Sequence, residues 1–351
     1  MIRTKGDGED GVRVYAGMDP ALAMGDVAAH ARRVEALGYD GLHVPETIHD
    51  GLAVALLALE HTTRLTVRTS VTLAFIRSPM LTAYSAWDLQ RMSGGRFELG
   101  LGTQIRPNIE GRYGMPWTEP VGRLRDYVGA VQAAFESFRT GARLQYDSET
   151  YRLNRLQPYF NPGPIETDAP PIWLGGVNTA ICRLAGELAS GFVTHPTNSN
   201  PRYLDAICLP GIAAGAARAG RSVFDIALVV GTPLITGADA AAVAVERERQ
   251  RGLLAFLYST PAYRRTLELY GWAGVGERLQ QMTHENRWDA MAALITDDML
   301  DELVPQATYA ELPAVLEARL GSVAQGVIVP PPADARDDPL VTEAITAIRG
   351  G

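Results

Sequence analysis

Cysteine is scarce in this chain. Cys182 and Cys208 are its only two, and their spacing fits no metal-ligand pattern, so no metal site is expected and both read as buried free thiols of a reducing cytoplasm. Long hydrophobic runs are missing too: no stretch reaches about 18 apolar residues, which argues against a membrane span. The amino-terminal MIRTKGDGED lacks the apolar core of a signal peptide, and residues 1–11 read as a flexible polar tail. Positive charge is in deficit, with a net charge of −8, so neither nucleic acid nor an anionic membrane is an expected partner. There is no Walker loop, no Gly-x-Ser-x-Gly elbow and no His-Glu-x-x-His. Gly100-Leu101-Gly102 is a fragment of a dinucleotide fingerprint at the wrong spacing, and taken alone it equally reads as small residues packing a strand end.

What is present is an ordinary globular composition, 46% hydrophobic and 21% charged over 351 residues, arranged in a regular alternation. Strands are expected at Val12 to Ala16, Tyr39 to Val44, Leu65 to Phe75, Phe97 to Leu101, Ile172 to Leu174, Gly191 to Thr194, Ile226 to Ile235 and Gly326 to Val329. Helices are expected between them. The first is capped by Asp19-Pro20 and stopped by Gly38, and the others cover Gly51 to His61, Pro79 to Ser93, Val121 to Phe138, Thr179 to Ala189, Pro201 to Ala219, Tyr309 to Leu320 and Val341 to Ile348. Eight such pairs predict a (β/α)8 barrel over residues 12–351, in preference to a doubly wound open sheet. The proline-rich stretch 140–170 reads as an excursion, and residues 238–306 as a helical insertion after strand seven.

In such a barrel the loops after the strands carry the chemistry. Gly175-Gly176-Val177-Asn178-Thr179 follows strand five and opens a helix. Bare backbone amides there suit an anion, and equally a tight turn capped by Asn178 or Thr179. Glu46, His49 and Asp50 end strand two, where acid, base or donor roles compete with simple helix capping. His195 follows strand six, as a phosphate contact or a structural loop residue. Trp117 reads as a pocket wall, and Arg106 and Arg112 flank the Met115-Pro116-Trp117 segment as anion contacts or as solvated surface arginines. His30, His43, His61 and His284 read as surface residues of helices and strands.

Three segments carry a family resemblance: EALGYDGLHVPE at 35–46, the run from Ser78 through AWDLQRMSGGRFELGLGTQ to Gln104, and PPIWLGGVNTAICRLAGELASGF at 170–192. The chain resembles the bacterial luciferase-like superfamily of flavin and deazaflavin oxidoreductases. IEGRYGMPWTEPVGRLRDYV at 109–128, FNPGPI and STPAYR are similar to a subgroup of probable coenzyme F420-dependent oxidoreductases.

That resemblance implies hydride transfer between F420 and a small organic substrate. Its alternative is monooxygenation by reduced FMN supplied by a partner reductase. It also implies a non-prolyl cis peptide at Ser70-Val71 behind the ring, Glu46 near the ring, and Thr103 and Gln104 bordering the ring and the pocket; Glu46 or His49 is then the expected proton donor. The cofactor phosphate would lie on Gly175, Gly176 and Val177 near Thr194 and His195. A homodimer through the early helices is implied, the apolar helix Leu52 to Leu59 being in keeping with it. Two departures count against sugar-phosphate dehydrogenation. Ile105 stands where those relatives carry an acid, and Glu46-Thr47 replaces their Asp-His pair.

Overall fold

The computed structural model describes residues 11–321 and 323–350, so the expected tail lies outside it except for Gly11. Eight parallel staves form the barrel: β1 (Arg13–Gly17), β2 (Gly41–Val44), β3 (Thr66–Thr69), β4 (Phe97–Gly102), β5 (Ile172–Gly176), β6 (Gly191–Thr194), β7 (Ala227–Val230) and β8 (Gly326–Ile328). Closure is explicit, since β1 pairs with both β2 and β8, and β3 pairs with both β2 and β4. An open sheet is thereby ruled out. Apolar runs make these strands because a barrel stave is covered by helices outside and by other staves inside.

Eight helices surround it: α1 (Val27–Ala36), α2 (Gly51–Glu60), α3 (Pro79–Ser93), α4 (Pro120–Thr140), α5 (Thr179–Leu188), α6 (Pro201–Tyr203, continuing through a π-turn at Leu204–Cys208 into Leu209–Arg218), α7 (Leu312–Leu320) and α8 (Asp338–Gly350). Gly38 and Gly94 follow α1 and α3 in left-handed backbone (φ 89° and 64°), the conformation that favours glycine after a helix. Arg96, next after Gly95, donates to the carbonyls of Leu59, Thr62 and Leu65, tying the end of α2 to the start of β4. Cys182 and Cys208 are both buried and free. Among the described residues no helix is long and apolar enough to cross a membrane.

Four expectations are corrected. Asp19-Pro20 does not cap α1; Asp19 closes a local turn through the amide of Ala21 (2.8 Å), and the helix starts only at Val27. The long run 65–75 is broken after Thr69 by a cis peptide at Ser70-Val71, resumes at Thr72–Leu73 and ends in a 3-10 turn. Ile226 to Ile235 is two strands: β7 belongs to the barrel, whereas Ile235–Gly237 pairs with Gln306–Thr308 as a ribbon bracketing the insertion. Gly175 and Gly176 lie in β5, paired with Val193 and Thr194, rather than in a loop after it.

The insertion is a helical body, chiefly Ala240–Tyr258, Ala273–His284 and Asp297–Leu303, with its own core around Leu254, Tyr258, Leu267, Leu279 and Leu300. The excursion carries a small hairpin, Tyr146–Asp147 with Arg152–Leu153. Most of the apolar surface of α2 goes into the chain's own core through Leu52, Val54, Ala55, Ala58 and Leu59, while Leu56 faces outward.

Candidate functional site

The carboxyl ends of β3, β4 and β5 converge on one side chain. After the Ser70-Val71 bond, Val71 points toward three glycines. A methyl group on Gly102 would sit 2.4 Å from Val71 Cγ2, and one on Gly175 would sit 2.9 Å from Val71 Cγ1. On Gly100 it would meet the carbonyl oxygen of Thr69 at 1.9 Å. Gly102 and Gly175 are therefore the clearance that lets Val71 project at the barrel mouth, and Gly100 lets β3 approach β4, which yields a flat apolar backing with backbone on either side.

Glu46 anchors this backing from β2. Its carboxylate accepts from the amide of Leu73 (2.6 Å) and from Arg77 Nη1 (2.8 Å), and Arg77 Nη2 bridges it at 2.5 Å to Asp50 at 2.9 Å. Both oxygens are thus occupied as acceptors in a buried position. Arg77 was not singled out in the sequence, where an arginine before Ser78-Pro79 reads as part of a loop. Asp50 also caps α2 through the amide of Leu52 (2.9 Å). His49 is half-buried and has no hydrogen-bond partner among the described residues.

After β4, Gln104 adopts left-handed backbone (φ 58°), and its side chain accepts from the amide of Ile105 (2.9 Å) and from Asn108 (3.2 Å). Thr103 donates to the carbonyl of Gln104 at 2.9 Å. A short helix, Arg106–Gly111, follows where a loop was expected. Arg106, at the start of that helix, is mostly exposed and paired with Glu110 on its own helix (2.9 Å). Arg112 donates to the carbonyl of Thr47. Trp117 is half-buried, its ring edge-on to Phe75 at 5.7 Å.

On the far side of the mouth, the N-terminus of α5 follows Gly176 directly, with Asn178 capping it through the amide of Ile181 (2.9 Å). The carbonyl of Val177 is held by Tyr203 (2.7 Å) and Asn198 (3.2 Å), which locks this turn to the loop after β6. In that loop Thr194 bonds Ser199 (2.6 Å) and accepts from the amide of Gly231 (2.9 Å). His195 bonds Thr197 at 2.8 Å and stacks on Tyr263 of the insertion, centroids 4.4 Å apart. Burial pushes the imidazole pKa down to about 4, so near neutrality it is an uncharged ring. Tyr263 lies in STPAYR, and only the fold brings it to His195.

His43 corrects the sequence reading most clearly. It is not a surface residue: at 3% exposure it lies inside the barrel, beside Tyr15 and Arg68. Arg68 is fully buried and bonds Glu98 through Nε (2.5 Å), approaches His43 Nε2 at 3.0 Å and lies 3.3 Å from the centroid of the Trp173 ring. Period-two spacing places Arg68 on the face opposite Val67, which was the available signal.

An apolar cleft lined by Val12, Leu316, Leu320 and Ile348 lies at the other end of the barrel, against the residues that lead into β1 and β8.

A closed parallel barrel with a glycine-cleared mouth, an anion-ready helix terminus and a docked helical insertion defines a ligand-binding (β/α)8 enzyme scaffold. Residues 9–319 match the luciferase-like monooxygenase model, and the chain belongs to that family. It is 40% identical over 269 residues to an uncharacterized protein of Mycobacterium tuberculosis (strain ATCC 25618 / H37Rv), covering 76% of this chain and 78% of that one. It is 29% identical over 257 residues to a 5,10-methylenetetrahydromethanopterin reductase of Archaeoglobus fulgidus, covering 71% of each. Among solved structures, the coenzyme F420 dependent tetrahydromethanopterin reductase from Methanopyrus kandleri superposes with a TM-score of 0.75 at 19% identity, covering 96% of this chain and 97% of that one. At that identity the likeness concerns the fold.

Proposed function

We propose that this protein transfers a hydride between coenzyme F420 and a small organic substrate. The observation that carries the reading is the Val71 backing: Gly102 and Gly175 leave no room for a side chain beside it, so the mouth suits a planar ring. An F420-dependent glucose-6-phosphate dehydrogenase of Nakamurella multipartita, 32% identical over 189 residues, supports it. The residues present fit such a group, because the strand end at Gly175 and Gly176 carries no side chain and leads straight into a helix N-terminus.

In this reading Val71 backs the ring and Thr103 and Gln104 border it. Gly175, Gly176 and the amide of Val177 would hold the phosphate, with Thr194 and His195 beside them. The bound coenzyme supplies the hydride carrier. Glu46 keeps its carboxylate engaged by Arg77 and the amide of Leu73, and so fixes the backing rather than delivering a proton. His49, with its ring nitrogens uncommitted, holds the proton for the substrate atom reduced. The insertion, docked on His195 through Tyr263, excludes water from that side.

Parallel titration with oxidised F420, oxidised FMN and reduced FMN tests this. Micromolar or tighter binding of F420 with much weaker FMN is expected. Selective binding of reduced FMN refutes the reading and points to oxygen-consuming monooxygenation.

A further inference from the structure

The loop after β6 carries a run of buried hydrogen bonds whose direction follows from its acceptors. The carbonyl of Val177 takes bonds from Tyr203 (2.7 Å) and from Asn198 Nδ2 (3.2 Å). Asn198 therefore turns its amide oxygen to Thr197 Oγ1, 2.5 Å away, and an amide oxygen has no proton to give. The Thr197 hydroxyl must donate its single proton there. His195 Nδ1 lies 2.8 Å from the same hydroxyl oxygen, so the proton between them belongs to the imidazole. In the other tautomer Nδ1 would accept from the amide of Thr197 at 3.3 Å, but the Thr197 hydroxyl would then face two acceptors, at 2.5 and 2.8 Å, with one proton. The two short contacts outweigh the long one.

The ring is uncharged near neutrality, so with Nδ1 protonated its Nε2 is a bare lone pair. That nitrogen has no hydrogen-bond partner among the described residues. It is also not sealed from solvent, unlike Nε2 of His30 and Nδ1 of His43. Tyr263, stacked at 4.4 Å, fixes the plane of the ring. A ring crowded enough to resist protonation, yet with one nitrogen open to solvent, lies in the wall of a recess. The recess adjoins the end of β5, because Thr194, next before His195, is registered with Gly176. A bare imidazole nitrogen accepts a hydrogen bond and repels an ionised oxygen, whose lone pairs face its own. It therefore suits a hydroxyl, and not the phosphate that the neighbouring backbone amides favour.

We propose that His195 Nε2 is a hydroxyl-accepting subsite beside the end of β5, specific for the polyol section of a ligand, with Thr197 and Asn198 positioning it by fixing its tautomer. A ribityl chain between a planar ring and a phosphate has this chemistry, and deazaflavin and flavin cofactors share it. The inference rests on the hydride-transfer reading only for the class of ligand; the tautomer and the open nitrogen belong to the protein alone.

The test is 15N NMR of the full-length protein, with the ring signals assigned through His195→Phe. A protonated Nδ1 and a bare Nε2 are expected before any ligand is added, and a protonated Nε2 overturns the proposal. Oxidised F420, FMN, riboflavin and inorganic phosphate are then titrated separately, binding of the first three being followed by absorbance or fluorescence. The Nε2 signal is expected to move upfield, as a bare nitrogen does on accepting a hydrogen bond, with at least one ribityl-bearing probe and not with phosphate. Movement with phosphate alone makes His195 an anion contact and overturns the subsite. His195→Phe should weaken the responding probe about tenfold, the value of one lost hydrogen bond. His195→Gln, which returns an acceptor oxygen, should recover most of that loss, whereas an equal loss in both variants marks a merely structural role and overturns the subsite. F420 bound with Nε2 unmoved overturns the subsite and leaves the cofactor reading standing. Should F420 fail to bind while FMN or riboflavin moves Nε2, the cofactor reading falls and the subsite stands. If none of the three binds, both fall.

Discussion

Placing a single methyl group on Gly102 probes the geometry of the mouth directly. In Gly102→Ala the new carbon would lie 2.4 Å from Val71 Cγ2, whereas carbon atoms rest at about 3.5–4.0 Å, so Val71 must retreat by about 1 Å. Overpacking of this size destabilises by about 1–3 kcal/mol. The lost freedom of the unfolded glycine returns about 0.4–1 kcal/mol, because Gly102 does not lie in left-handed backbone and alanine can adopt its conformation. A net loss of about 1–2 kcal/mol is expected. In a Val71→Ala background the next Val71 atom is Cβ at 3.5 Å, an ordinary contact, and the same methyl becomes neutral or stabilising. The four proteins of this double-mutant cycle, compared by urea denaturation at one pH, should show a coupling of about 1–3 kcal/mol. Gly102→Ala should also weaken ring binding, because Val71 is the surface it displaces. Additivity within about 0.5 kcal/mol would refute the argument that these glycines exist to clear Val71.

Arg77→Met leaves the buried Glu46 carboxylate without its guanidinium and should lower stability by about 3 kcal/mol in urea titration, whereas breaking the exposed, solvent-screened Arg106–Glu110 pair should leave the midpoint unchanged. His195 gives a pH dependence. The unfolded chain takes up a proton there below about pH 6.5 and the folded chain only below about 4, so its contribution is complete above 6.5 and is lost as the pH falls through that window. The loss reaches at most about 3 kcal/mol, and His195→Asn should flatten that part of the stability profile; an unchanged slope would refute the assignment. Tyr263→Ala removes a stacked pair worth about 0.5–1.5 kcal/mol, so amide exchange over residues 258–272 should quicken while that of the barrel strands is unchanged.

The barrel was legible because buried parallel staves are short apolar runs and Gly38, Gly94 and Pro79 punctuate them. The failures have specific causes. Ile226 to Ile235 reads as one strand because both halves are buried, and only pairing shows that the second half leaves for the ribbon. Asp19-Pro20 has the chemistry of a helix cap, yet its carboxylate closes a turn two residues on. The glycines around Val71 were visible as a glycine-rich motif, but what they make room for is a side chain some thirty residues earlier in one case and a hundred in another. The interior chain of His43, Arg68, Glu98 and Trp173 was invisible for the same reason. A charged residue in a strand looks solvent-facing until its counter-ion is known, and here each partner comes from a different stave.

The insertion and the barrel keep separate apolar cores, and they meet largely through the ribbon at Ile235–Gly237 and through hydrogen bonds such as those from Tyr258 and Thr266 to the carbonyl of Thr197. Sequence drift in one core therefore exerts little packing pressure on the other. In evolutionary terms the insertion can be rewritten as a module of its own while the staves of the barrel stay as they are.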